Sequence, residues 1–221
     1  MRIAAAVVLT ALVCASTADA QQRKRPPAPK PKPAPVQLKT EPGTVTCPER
    51  LGVGVRTGVS YCFVMAGRDP AQGMLIDIPP HTGDVTLGFN LHNRHTFSEE
   101  QMKAGRGYAN YTAVIAVLSL KGEVLGRAAV QTEFRHAKDL YERISGGAGP
   151  GGVKAVAPIG LEAIKIVIPG DIDVAQVSLL GEILNATTAA GRESATPGKP
   201  VAIVSSATVE YRPKPAGRGK K

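Results

Sequence analysis

An all-β fold, an antiparallel β-sandwich of the jelly-roll-like or immunoglobulin-like kind, is what this sequence predicts, and three observations carry the prediction. Apolar residues arrive in short bursts with many β-branched side chains, Gly, Pro, Asn and Asp separate the bursts, and helical patterning is confined to two brief places. Many short strands with little helix favour sheets packed face to face over a parallel sheet covered by helices.

The strands expected in chain order are Val59 to Met65, Met74 to Ile78, Asp84 to His92, Tyr111 to Leu120 and Glu123 to Phe134, then Ala163 to Ile168, Val174 to Asn185 and Val201 to Tyr211. Alternation is clearest in Val85, Leu87, Phe89 and Leu91, which share one face while Thr86, Gly88, Asn90 and His92 share the other. Lys121-Gly122 reads as a hairpin connection. The helical signals are Thr96-Phe97-Ser98-Glu99, a capping box before Gln101 to Ala104, and Lys138 to Ser145, where Leu140 and Ile144 would share one helix face before Gly146.

The chain divides into four segments by composition. Arg2, an apolar run from Ile3 to Val13 and Ala18-Asp19-Ala20 form the pattern of an export signal over residues 1–20, cut near Ala20. That run is shorter than the roughly 20 residues needed to span a bilayer, so no transmembrane segment is expected once the signal is gone. Lipidation of Cys14 is disfavoured because Val13 stands where a small residue is needed. The expected location is secreted or periplasmic. There the remaining cysteines, Cys47 and Cys62, are expected to pair as a disulfide worth about 3 kcal/mol in the chain-entropy model.

Residues 21–46 form a proline-rich stretch, RKRPPAPKPKPAPV from Arg23 to Val36, read as a disordered polyproline-II-like spacer. Residues 47–210 are read as the single β domain and residues 211–221 as a second disordered tail. Charge follows this division. Residues 21–46 carry +5 and residues 211–221 another +5, so the domain between them, at −1, is nearly neutral within a chain of +9. Attraction to anionic partners is therefore assigned to Arg23, Lys24, Arg25, Lys30 and Lys32 at one end and Lys214, Arg218, Lys220 and Lys221 at the other.

No catalytic residue is assigned. Gly147, Gly149 and Gly152 match G-x-G-x-x-G, but neither a strand before them nor a helix after them supports a nucleotide cradle, and Lys154-Ala155 breaks a phosphate-binding loop. His92 and His95 are the metal-ligand candidates, with His81 or His136 as further donors. On a strand, positions three apart point to opposite sides, and no H-E-x-x-H spacing supports them, so neither a metal nor a cofactor is expected. Asp171 and Asp173 lack the continuation of an EF-hand loop. No G-x-S-x-G elbow occurs, and the carboxylate pairs Glu99/Glu100 and Glu133/Asp139 read as solvated charge. Tyr108 and Tyr111 offer too little aromatic surface for a sugar platform, and Tyr111 reads as core. Nucleic acid is disfavoured for want of interleaved aromatics. Asn110-Tyr111-Thr112 and Asn185-Ala186-Thr187 have the form of glycosylation acceptors.

The expected function is a non-enzymatic binding or structural module of the cell envelope or extracellular space. Its basic ends would serve as spacers or tethers to an anionic polymer, a lipid surface or an acidic protein. The alternative is a small secreted hydrolase or metal-dependent enzyme built on a histidine and carboxylate cluster around His92 to His95.

Overall fold

The computed structural model describes residues 37–148, 154–158 and 162–215. Its strands are β1 (Lys39–Pro42), β2 (Val45–Thr46), β3 (Arg50–Gly54), β4 (Ser60–Met65), β5 (Met74–Asp77), β6 (Val85–Asn93), β7 (His95–Phe97), β8 (Ala109–Ser119), β9 (Val124–Phe134), β10 (Leu140–Ala148), β11 (Lys154–Pro158), β12 (Glu162–Ile168), β13 (Gln176–Thr188), β14 (Gly191–Ser194) and β15 (Pro200–Tyr211). One helix, α1 (Glu99–Lys103), and two 3-10 turns complete the described elements. All ladders between these strands are antiparallel, and the strands form two sheets, as a β-sandwich requires.

The first sheet runs β12-β6-β15-β4-β3-β10-β11-β7, with β1 added alongside β15. The second runs β2-β5-β13-β8-β9, with β14 against β13. Between them lies the main core. Val85, Leu87, Phe89 and Leu91 of β6 enter it together, as their alternation predicts, and meet Ile115 and Val117 of β8 and Val177 and Leu179 of β13. The Lys121-Gly122 hairpin forms, with Gly122 at φ 86°, where an L side chain is disfavoured, and its N–H donating to the Ser119 carbonyl at 2.9 Å.

A closed circuit lies within the first sheet. β7 follows β6 after a single residue, Arg94, so the path from β6 through β15, β4, β3, β10 and β11 returns to the continuation of its own starting strand. This circuit encloses a second, smaller interior beside the main core. Leu51, Tyr61, Ile144 and Ile203 are buried there, with Val59, Phe63 and Tyr141 packed around them. Consecutive residues therefore serve different interiors, as Tyr61 packs into the small cluster and Cys62 into the large one.

Three expectations need correction. Lys138 to Ser145 is not a helix: after a 3-10 turn at Ala137–Asp139 it enters β10. Register shifts between Leu140 and Glu142 and between Arg143 and Ala148 bulge this strand, and the four-residue spacing of Leu140 and Ile144 imitates a helix face. The spacer does not extend to residue 46, nor does the domain stop at 210. Lys39–Pro42 pairs with β15, Val45–Thr46 pairs with β5, and Tyr211 is buried inside β15. β1 is an edge strand, where Lys and Pro are tolerated, and its composition therefore reads as linker. Helix α1 is capped by Ser98, whose hydroxyl accepts from Gln101 N at 3.4 Å, while Thr96 belongs to β7.

Candidate functional site

The small interior holds the chemistry-bearing residues. Strand β4 supplies Tyr61, β6 supplies His92, β10 supplies Tyr141 and Glu142, and β15 supplies Ser205. His92 is fully buried and Ser205 only 4 % exposed. The His92 ring lies between two tyrosines, with centroids 5.7 Å from Tyr61 and 5.4 Å from Tyr141, and its Nε2 is 3.1 Å from Ser205 Oγ. His92 is thus an interior residue of β6. The outward face of β6 becomes an inward face where the circuit closes over it.

Glu142 anchors the other side. Its Oε1 accepts from the backbone N–H groups of Arg56 at 2.6 Å and Thr57 at 2.7 Å. Its Oε2 accepts from the Thr57 hydroxyl at 2.5 Å and from Tyr61 OH at 3.1 Å. Burial pushes this carboxyl up, but hydrogen bonds from Thr57, Arg56 and Tyr61 outweigh burial and hold it below the usual range. Burial and then the bond to Glu142 push the Tyr61 hydroxyl strongly up. A carboxylate engaged by four donors makes a poor general base, and a phenol so raised stays protonated at neutral pH. The arrangement ties the β3–β4 turn to β10.

The histidines named from the sequence do not converge. His95 lies in β7, backbone-paired with Val156. His81 turns its Nδ1 to the Pro79 carbonyl at 2.9 Å, and His136 precedes the 3-10 turn closed by Asp139. Among the described residues, no three His, Cys, Asp or Glu side chains gather as a metal site. Asp171 and Asp173 are exposed in a turn. Tyr111 is buried in the main core, where burial pushes its hydroxyl up to about 12. Glu133 pairs with Arg135 at 2.9 Å, and Arg135 also lies over the Tyr108 ring.

Cys47 and Cys62 form the disulfide, with Cα atoms 5.7 Å apart. Among the described residues, no helix is long and apolar enough to cross a membrane. Of the basic tail residues, Lys214 is described: it is exposed, and its N–H donates to the Pro80 carbonyl at 3.2 Å. Arg23, Lys24, Arg25, Lys30, Lys32, Arg218, Lys220 and Lys221 lie outside the described residues, as do Gly149 and Gly152 of the glycine-rich segment.

Sequence reading missed Tyr61, Tyr141, Glu142 and Ser205. Tyr61 and Phe63 alternate in β4, which was a signal available in the residues themselves, whereas Glu142 was hidden by the helical reading of β10. The chain matches no protein-family profile and no curated protein.

Proposed function

We propose that this chain is an exported, non-enzymatic β-sandwich module whose two basic segments together hold it to a polyanionic surface. The register of β1 against β15 carries the reading. Lys39 stands opposite Tyr211 in an antiparallel ladder, so the chain enters β1 and leaves β15 at the same end of the sheet. The +5 segment before β1 and the basic segment after β15 are therefore rooted side by side. Two weak electrostatic contacts rooted together act as one multivalent contact, because the second forms at high effective concentration. Closely spaced negative charge is the chemistry recognised, whether on an envelope polymer, a lipid headgroup or an acidic protein. The disulfide is compatible with an oxidising compartment. A hydrolase using Ser205 and His92 would need substrate to reach a pair that is 4 % and 0 % exposed.

Co-sedimentation of the whole chain with phosphatidylglycerol vesicles, phosphatidylcholine vesicles and soluble polyglutamate tests the reading. Binding should favour the anionic probes and fall steeply with salt. Replacing Arg23, Lys24, Arg25, Lys30 and Lys32 by Gln, or Lys214, Arg218, Lys220 and Lys221 by Gln, should weaken it, and both sets together should abolish it. The relative affinities separate lipid from polymer or protein partners. Binding that survives the combined replacement would sink the proposal.

A further inference from the structure

A second feature, independent of the basic ends, lies where β15 changes partners. On one side β15 pairs with β4 as far as Ser205 and with β1 from Thr208, leaving Ser206 and Ala207 at a bulge between the two. Ser206 adopts φ 51°, a left-handed conformation that costs energy for a residue with a Cβ. The gap opens into a cavity of about 360 Å³. Its wall contains the Cys47–Cys62 disulfide, and its floor contains Met74 and Val204, both buried residues of the main core, with Val45 beside them. Ser206 lines the cavity together with two exposed residues, Ser60 and Arg50.

Arg50 sits opposite Cys62 in the β3–β4 ladder. None of the ion pairs among the described residues involves its guanidinium. The neighbouring Glu49 lines a different cavity, with Phe63 and Arg94. An apolar floor with a few polar groups converging on it is the usual composition of a small-molecule site, and a cation with no carboxylate partner selects for an anionic head.

We propose that this cavity binds a small amphipathic anion of the medium-chain carboxylate class. The chain lies against Val45, Met74 and Val204, and the carboxylate meets Arg50. A guanidinium presents paired N–H donors that match a carboxylate, and a floor of buried apolar side chains favours hydrocarbon over water.

The test uses octanoate and its uncharged analogue 1-octanol, with calorimetry and methyl NMR on the whole chain. Octanoate should bind saturably and shift the methyl signals of Met74, Val204 and Val45. Arg50→Gln should weaken octanoate by about tenfold or more while leaving octanol unchanged, as expected for loss of a charge-assisted contact. Ser60→Trp, at an exposed position, should block both ligands while preserving the thermal midpoint. Neutralising the basic ends should leave octanoate affinity unaltered, so this site and the tethering reading succeed or fail separately. Absence of saturable octanoate binding, methyl shifts elsewhere, equal affinity in Arg50→Gln, or loss of octanoate binding on neutralising the ends would each overturn the assignment.

Discussion

The carboxylate of Glu142 occupies the space that a side chain at Gly54 would need: a Cβ built there meets both Oε2 and the carboxyl carbon of Glu142. Gly54 is the residue of β3 that pairs with Ile144, and its N–H donates to the Val59 carbonyl at 2.8 Å. The turn and the buried acid are therefore one structural unit. Gly54→Ala should destabilise the fold by about 1–3 kcal/mol through overpacking, and Glu142→Gln by about 2–4 kcal/mol because an amide nitrogen would face donors. Urea midpoints of the two variants check this.

The same carboxylate makes stability pH-dependent. Its folded pKa is lowered, so its contribution is present above the unfolded carboxyl pKa of about 4.3 and is lost as pH falls through the folded value. Denaturation midpoints measured between neutrality and pH 3 should fall more steeply for the native sequence than for Glu142→Gln. Parallel curves would refute a special role for this group.

At alkaline pH the sign reverses. Burial raises the Tyr111 hydroxyl to about 12, so folding favours the protonated phenol, and this contribution fades as pH rises above the unfolded value of about 10. Phenolate absorbance of the folded chain should leave two tyrosines, Tyr61 and Tyr111, silent near pH 11, and Tyr111→Phe should remove one of them from the later phase.

Reduction of Cys47–Cys62 removes a cross-link spanning 15 positions. A loop of that size corresponds to about 3 kcal/mol in the chain-entropy model. A paired Cys47→Ala and Cys62→Ala variant should lower the urea midpoint accordingly and become insensitive to dithiothreitol.

Gly170 approaches the backbone of Gly83, so that a Cβ there meets backbone atoms, and no side-chain rotation relieves the clash. Gly170→Ala should cost about 1–3 kcal/mol, and its own N–H bond to Asp84 Oδ1, 2.9 Å in the native turn, should weaken. Hydrogen exchange at Gly170 reads the second effect.

How far the sequence foretold these features follows the range of the forces involved. The alternation of Val85, Leu87, Phe89 and Leu91 is local, and it placed β6 and its core face correctly. The turn at Lys121-Gly122 is local too. The disulfide followed from having two cysteines in an expected oxidising compartment. By contrast, β1 was hidden because an edge strand tolerates Lys39 and Pro42, and β10 because bulges broke its alternation. The buried cluster depends on contacts spanning 81 positions from Tyr61 to Glu142 and 113 from His92 to Ser205. Only closure of the sheet brings these side chains together, and no local pattern encodes it.

The pairing of Lys39 with Tyr211 has a mechanical consequence. Tension applied between the two ends would act across the β1–β15 ladder at its first rung, loading one hydrogen-bonded pair at a time instead of sharing force over all four paired positions. Such a seam unzips at low force and re-forms readily. A chain pulled apart by its two arms would release β1 first, before β2, held to β5, and then the disulfide at Cys47 carried the load.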